Sequence, residues 1–168
     1  MPFAKTLMSW YLKNKRDLPW RNTRDPYHIW LSEIMLQQTR VAQGLPYYLK
    51  FLDAFPTVHD LAGASEEKVL KLWQGLGYYS RARNLHGTAK YVSEELNGIF
   101  PPSYKELIKL KGVGDYTASA IASTCYSEPV AAVDGNVYRV LSRYFEVDPP
   151  VNSGSGMKAF KALSQELL

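Results

Sequence analysis

One stretch, from Ser103 to Asn136, constrains the fold more than any other part of the chain, because it interrupts one helix and at once starts another. Ser103 and Glu106 have the spacing of a capping box, which predicts the start of a short helix. Gly112 and Gly114 then interrupt that helix. Glycine readily adopts positive φ and leaves backbone N–H groups uncovered, while the valine between the two glycines is predicted to enter the core.

A second helix follows this hairpin directly. Ala118, Ile121 and Ala122 recur at helical spacing, and small side chains let two helices approach closely. Backbone N–H groups at a helix N-terminus bind phosphate, so the pattern of helix, Gly-Val-Gly and helix predicts that Gly112 and Gly114 hold one phosphate of a ligand. A plain turn between two helices, without any ligand, is the alternative that this pattern leaves open.

No segment shows the alternation of apolar and polar residues that is typical of strands. We therefore predict an all-α fold of about nine or ten helices, arranged as two lobes with a cleft between them. The predicted helices cover residues 3–15, 26–39 and 46–55, two short segments capped by Thr57 and Ser65, a longer segment from Tyr78 to about Asn97, the two helices of the hairpin, one helix capped by Asp134, and a last one that begins at Ser155 or Gly156.

The composition is that of an ordinary folded protein, with 46% apolar and 21% charged residues in a chain of 168. Its 20 Lys and Arg residues against 16 Asp and Glu residues favour a polyanionic partner only weakly. The single cysteine, Cys125, excludes an internal disulfide and is typical of a reducing compartment. No apolar run approaches the roughly 18 residues of a membrane span, so we expect a cytoplasmic protein that does not bind membranes.

Glu33 lies within an apolar stripe of the helix predicted from Pro26 to Thr39. Trp30, Ile34 and Gln37 fall on the same face at helical spacing. Burial of a carboxyl group raises its pKa, which is what a general acid working near neutral pH requires. An exposed glutamate at the edge of the stripe is the alternative.

Asp134 is predicted to be the N-cap of the next helix, because Val137, Val140 and Leu141 follow it at helical spacing. A carboxylate at that position faces the positive end of the helix dipole and should stay ionised. One carboxyl that can be protonated and one that is ionised form the pair needed to break a glycosidic bond. Capping alone would also account for Asp134.

Two further groups of residues combine aromatic rings with cations. Trp20 and Arg21 are adjacent in a loop and would suit a planar ligand, although such a pair in a loop more often reflects packing. Tyr78, Arg81 and Arg83 surround the start of a helix, where they would stack on bases and contact phosphates, or simply form a solvated helix end.

Four motifs resemble, in this order and spacing, the helix-hairpin-helix DNA glycosylase superfamily, and most closely its adenine DNA glycosylases of the MutY type. They are WLSEIMLQQT, GLGYYSRARNLH, LKGVGDYTASAI and VDGNVYRVLSR, and the similarity extends from about Trp10 to Leu163. The resemblance implies a six-helix barrel with the hairpin in residues 22–129. Residues 1–21 and 130–168 would form a second lobe, and the active-site cleft would lie between the two.

The resemblance also implies a reaction, the removal of adenine mispaired with 8-oxoguanine or guanine in double-stranded DNA after the adenine is flipped into a pocket. Glu33 matches the acid that protonates adenine at N7. Asp134 matches the carboxylate that stabilises the sugar cation, through its charge or as a transient covalent partner. Tyr116 matches a tyrosine of the pocket, and Asn136 a residue that supports the two carboxyl groups.

Other matched positions concern the DNA itself. Gln38 and Tyr78 match residues that insert near 8-oxoguanine, and Trp20 with Arg21 matches the wall of the adenine pocket. The resemblance further implies a monomer that binds phosphate at the hairpin, with a monovalent cation often bound there.

The residue type at position 116 distinguishes two related kinds of enzyme, those that cleave the DNA strand as a lyase and those that only remove the base. The endonuclease III type, which acts on thymine glycol and abasic sites, carries a nucleophilic lysine two residues after the second hairpin glycine. Tyr116 occupies that position here, so we expect a monofunctional enzyme that leaves an abasic site. In bacteria such a protein would associate with the nucleoid.

The resemblance stops before a segment that the family usually contains. Its members continue with four cysteines that bind a [4Fe–4S] cluster, followed by a domain that recognises 8-oxoguanine. Cys125 alone cannot hold such a cluster, and we expect it to be a small buried residue, with no metal site in these residues. A fragment that binds DNA without turnover is therefore an alternative to an active enzyme.

Overall fold

The computed structural model describes residues 2–168 and confirms the all-α prediction over that range. Ten α-helices and one 3-10 helix are present there, without any strand. The α-helices are α1 (Pro2–Asn14), α2 (Pro26–Leu36), α3 (Val41–Ala54), α4 (Val58–Gly63), α5 (Glu66–Trp73), α6 (Tyr79–Glu94), α7 (Tyr104–Leu107), α8 (Asp115–Tyr126), α9 (Gly135–Phe145) and α10 (Gly154–Glu166), and the 3-10 helix covers Pro19–Arg21.

Helix α2 lies at the centre of the larger core. Seven of its eleven residues are buried, which is typical of a helix enclosed on nearly all sides. It packs against α3, α6 and α8. Asp25 caps its start by accepting a hydrogen bond from the backbone N–H of Tyr27 at 2.8 Å, and Pro26 occupies the first helical position, as predicted.

Helix α2 ends three residues earlier than predicted. Gln37 is its C-cap, and Gln38 has a φ of 55°, in the left-handed region that ends a helix. The sequence carries a second glutamine at this point instead of the usual glycine, so nothing in it marked the end.

The main core is formed by side chains between Leu18 and Ala122. Leu18 and Trp20 belong to it, although the prediction assigned residues 1–21 to the second lobe. Leu141 of α9 and Phe160 of α10 are buried outside this core. The boundaries 22 and 129 stay a prediction.

The capping box predicted at Ser103 is wrong. The Ser103 hydroxyl donates to the Glu106 carboxylate at 2.7 Å and does not cap the backbone. The first N–H of α7, that of Tyr104, instead donates to the Glu128 carboxylate at 2.7 Å. A partner 24 residues away satisfies this helix end, which a local sequence pattern cannot reveal.

Two other helix starts differ from the prediction. Helix α3 begins at Val41 and contains Pro46, whereas the prediction took that proline as the first residue. A proline inside a helix removes one backbone hydrogen bond, which a helix of 14 residues tolerates here. Helix α10 begins at Gly154, because the Ser153 hydroxyl accepts from the N–H of Gly156 at 2.9 Å.

The hairpin has the predicted form. Gly112 has a φ of +78°, Val113 is buried, and Gly114 is the N-cap of α8. The hydroxyl of Thr88 donates to the carbonyl oxygen of Lys111 at 2.7 Å, which joins the hairpin to α6. Within the described residues, no helix combines the length and the apolar character needed to cross a bilayer.

The two hairpin glycines should differ sharply in their tolerance of alanine. A Cβ on Gly112 would lie 2.8 Å from the Cβ of Asn84 at a positive φ, whereas a Cβ on Gly114 would meet nothing within 4 Å. We expect Gly112→Ala to lower the free energy of unfolding by at least about 1 kcal/mol, the cost of left-handed backbone for alanine. Urea unfolding of both variants measures this, and equal stability of the two would contradict it.

Candidate active site

Glu33 lies in the second half of α2 and is half-buried. Burial raises the pKa of its carboxyl from 4.5 to about 7. Hydrogen bonding by Tyr116 opposes this rise, and the nearby negative charge of Asp134 adds to it. The exposed alternative considered from the sequence is therefore wrong, and this carboxyl can both hold and release a proton near neutral pH.

Asp134 caps α9 as predicted. Its Oδ1 accepts from the N–H groups of Asn136 at 3.0 Å and Val137 at 2.9 Å. Its Oδ2 accepts from the Asn136 side-chain amide N–H at 2.9 Å. The side-chain oxygen of Asn136, Oδ1, in turn accepts from the Arg139 guanidinium group at 2.9 Å. Two backbone N–H groups at the start of α9 and one side-chain amide hold the carboxylate in one orientation.

Tyr116, in the first turn of α8, completes the group. Burial raises the pKa of its hydroxyl, and the charges of Glu33 and Asp134 raise it further. The structure therefore brings together a side chain of α2, one of α8 and the N-cap of α9, although Glu33 and Asp134 are 101 residues apart along the chain. An acid with a pKa near 7 and a capped carboxylate, both near enough to act on the same hydroxyl, can donate a proton and stabilise a cation at one place.

A neighbouring cluster was not found from the sequence. Asp115 precedes Tyr116, and its Oδ1 accepts from the Tyr104 hydroxyl at 2.5 Å and from the Lys161 ammonium group at 2.5 Å. Burial alone would raise the pKa of Asp115, but these two donors outweigh it and the pKa is lowered. The ion pair between Lys161 and Asp115 connects α10 to the start of α8, next to Tyr116.

The predicted pocket wall of Trp20 and Arg21 does not form as one surface. Trp20 is buried and packs edge to face against Tyr48, with the ring centroids 5.0 Å apart. Arg21 is exposed, with its guanidinium group over the ring of Tyr11 and donating to the carbonyl oxygen of Arg16. The two side chains point into different environments, so the packing alternative describes Trp20.

Gln38 and Tyr78 lie on exposed loops, and both have positive φ values, of 55° and 46°. Tyr78 is 65% exposed, which leaves its ring free to contact another molecule. Arg83 is exposed and pairs with Glu66 at 3.4 Å, a surface contact of small energy that phosphate could replace.

The environment of Arg81 differs from the prediction. Its guanidinium group is not part of a solvated patch, because it donates five hydrogen bonds to backbone carbonyl oxygens of the protein. No local signal in the sequence distinguishes it from Arg83, which lies two residues further along the same helix.

The described residues do not fit an iron–sulfur cluster. Cys125 is the single cysteine, burial raises the pKa of its thiol to about 12, and such a thiol is inert. No group of three or more His, Cys, Asp or Glu residues that could hold a metal ion is found among residues 2–168.

The sequence matches the family model of the HhH-GPD superfamily of base excision DNA repair proteins over residues 31–164, which includes every residue of the Glu33, Tyr116 and Asp134 group. The chain belongs to this family.

Several adenine DNA glycosylases are similar to it. That of Buchnera aphidicola (subsp. Baizongia pistaciae) is 46% identical over 147 residues, which cover 87% of this chain and 42% of the relative. The human enzyme is 45% identical over 175 residues, covering 99% and 32%, and that of Mycobacterium tuberculosis is 41% identical over 138 residues, covering 82% and 45%. The chain thus spans less than half the length of each of these relatives.

Solved structures agree with the fold. A thermostable thymine-DNA glycosylase superposes with a TM-score of 0.88 at 31% identity, covering 98% of this chain and 76% of that one. An endonuclease III trapped with DNA superposes with a TM-score of 0.82 at 21% identity, covering 98% and 75%, which supports the fold alone.

The raised pKa of Glu33 predicts how stability changes with pH. Between pH 4.5 and about 7 the folded chain keeps a proton that the unfolded chain releases, so the free energy of unfolding falls as the pH rises through this range. Glu33→Gln removes the cost of the buried charge. We expect this variant to be more stable than the wild type at pH 8, by about 1 to 3 kcal/mol, and nearly equal to it at pH 4.5.

Thermal unfolding at a series of pH values measures this difference. Glu94→Gln, which neutralises an exposed carboxylate on α6, is the matched control and should not change the pH dependence. A Glu33→Gln effect of the same size at pH 4.5 and pH 8 would show that the carboxyl does not titrate near neutrality.

Proposed function

We propose that these residues form the catalytic core of a monofunctional adenine DNA glycosylase, which hydrolyses the N-glycosidic bond of adenine mispaired with 8-oxoguanine or guanine. The observation that carries the proposal is the pairing of Glu33, whose pKa is about 7, with Asp134 on the N-terminus of α9. The kinship to adenine DNA glycosylases of 41 to 46% identity supports adenine as the base.

The chemistry follows from the two carboxyl groups. Protonated Glu33 donates its proton to N7 of the extruded adenine, and the electron pair of the breaking glycosidic bond passes to the base. The Asp134 carboxylate stabilises the oxocarbenium ion that remains on the sugar. Water then adds to C1′ of the sugar, the carbon from which the base has left, and the proton that the water loses passes to one of the two carboxylates. Tyr116 and Asn136 orient the two carboxyl groups.

The side chain at position 116 supports hydrolysis without strand cleavage. A lyase of this family type needs an amine there to form a Schiff base, and a phenol cannot do so. The pKa of the Tyr116 hydroxyl is raised, so it stays protonated and serves as a hydrogen-bond donor.

Contacts to double-stranded DNA would come from three places. The N–H groups of Gly112 and Gly114, at the start of α8, are exposed and suit a phosphate, with a monovalent cation at the hairpin as a further proposed ligand. Gln38 and Tyr78 would enter the duplex beside the mispair, and Arg83 would contact the backbone. Extruding the adenine costs a few kcal/mol, which these contacts must supply.

The setting follows from this activity. We infer a monomer that acts on chromosomal DNA, in the cytoplasm and on the nucleoid if the source is bacterial. The [4Fe–4S] cluster that the resemblance implies for the whole family would need ligands other than those in these residues.

The assay is direct. A duplex with adenine opposite 8-oxoguanine is incubated with excess protein and then heated in alkali, which cleaves the strand wherever adenine has been released. We expect cleavage by the wild type, and a loss of at least 100-fold in the single-turnover rate for Glu33→Gln, since general acids contribute about 10² to 10⁴.

Asp134→Asn is the matched variant, because asparagine caps a helix about as well as aspartate and removes only the charge. It should keep the stability of the wild type and lose base release. Cleavage before alkali, trapped by borohydride, would instead favour the lyase chemistry. Salt-dependent binding without base release would contradict turnover and leave a DNA-binding fragment.

A further inference from the structure

Arg81 joins two loops that are far apart in the sequence. It lies in the first turns of α6, and its guanidinium group is directed toward the C-terminal end of α2. The two N–H groups of one terminal nitrogen, Nη1, are shared among three carbonyl oxygens, and those of the other, Nη2, donate to two. The acceptors are Ile34 at 3.0 Å, Met35 at 3.1 Å and Gln37 at 2.8 Å for Nη1, and Leu76 at 3.2 Å and Gly77 at 3.3 Å for Nη2.

Two of the acceptors, Ile34 and Met35, lie in the last turn of α2, where backbone carbonyl oxygens have no N–H partner within the helix, and a cation near them is favourable. The guanidinium group also lies over the rings of Trp73 at 5.2 Å and Tyr78 at 5.7 Å, measured to the ring centroids. Arg81 is therefore held by carbonyl oxygens at both terminal nitrogens, with two aromatic rings close to its guanidinium group.

Each of the two joined loops carries one strained residue beside the bonded carbonyl. Gln38, with φ of 55°, directly follows Gln37, and Tyr78, with φ of 46°, directly follows Gly77. Residues other than glycine hold left-handed backbone only where their surroundings enforce it. One side chain, that of Arg81, bonds the residue before each of them.

We propose that Arg81 is a positioning residue that fixes the separation of the Gln38 and Tyr78 side chains, so that both enter the duplex together, and that it does not itself contact DNA. The inference rests on the proposed function for the role of these two side chains in DNA, but the geometry of the two loops is independent of it.

Lysine at this position provides the decisive variant. Arg81→Lys keeps the positive charge, but a single ammonium group cannot reach both sets of carbonyls as a planar fork does. Arg83→Lys is the matched control, because Arg83 is exposed and bonds only the Glu66 side chain.

Hydrogen exchange tests the positioning without any DNA. In Arg81→Lys we expect the amides of residues 37–39 and those of 76–79 to exchange at least ten times faster, with both loops affected together. Arg83→Lys should leave both loops unchanged. Unchanged exchange in Arg81→Lys, or a change in one loop alone, would overturn the proposal whether or not the chain releases adenine.

A second variant keeps the test valid if Arg81→Lys unfolds. Glycine at position 38 adopts positive φ without strain, so Gln38→Gly should restore part of the lost melting temperature in the Arg81→Lys background. Gln74→Gly, at a residue with φ of −56°, is the control and should restore none. Equal effects of the two glycines would contradict the proposal.

DNA binding separates positioning from direct contact. If Arg81 bound a phosphate, Arg81→Gln would reduce the slope of log K against log salt by about 0.9, and Arg81→Lys would not. We expect instead that both variants lower the affinity for mispaired duplex about tenfold with an unchanged slope, and that neither lowers it further in a Tyr78→Ala background. If the affinity losses of the Arg81 variants and of Tyr78→Ala were additive, the proposal would be overturned. If the wild type bound mispaired and matched duplexes with equal affinity, the proposed function would be contradicted, and the hydrogen-exchange result alone would decide the role of Arg81.

Discussion

The proposed chemistry depends on the cost of keeping a carboxyl group in a helix that is buried on nearly all sides. Seven residues of α2 are buried and Glu33, between them, is half-buried, which brings its pKa to about 7. The chain gives up folding stability above neutral pH to keep this acid ready to donate a proton. In the proposed reaction, the gain is a group that can hold and release a proton near neutral pH.

Helix N-termini organise the remainder of the site. Asp134 uses the start of α9 to hold a carboxylate in place, and Gly112 with Gly114 leaves the start of α8 open. At both helix starts, backbone N–H groups that have no partner within their helix attract negative charge. At α9 that charge belongs to Asp134, and at α8, in our proposal, it belongs to a DNA phosphate. Tyr116, in the first turn of α8, connects the two features because the charges of both carboxyl groups act on its hydroxyl.

Patterns that act over a few residues could be predicted from the sequence. The caps at Thr57, Ser65 and Asp134, the hairpin glycines and the apolar stripe around Glu33 all depend on neighbours within one or two helical turns. Interactions over long separations could not. Arg81 and Arg83 have the same chemistry in the sequence, yet only the folded chain places carbonyls 44 to 47 residues away around the first of them. The bond between Lys161 and Asp115 spans 46 residues and escaped prediction for the same reason.

A direct titration of Glu33 decides whether this account is right. The chain is labelled with carbon-13 at the glutamate carboxyl groups. The signal of Glu33 is identified as the one missing from the spectrum of Glu33→Gln, and its chemical shift is followed by NMR across the pH range. We expect a midpoint close to 7, moving lower in Asp134→Asn because the charge of Asp134 raises the pKa of Glu33. A midpoint near 4.5 that does not respond to Asp134→Asn would show a solvated carboxyl with no partner, and would contradict the central claim.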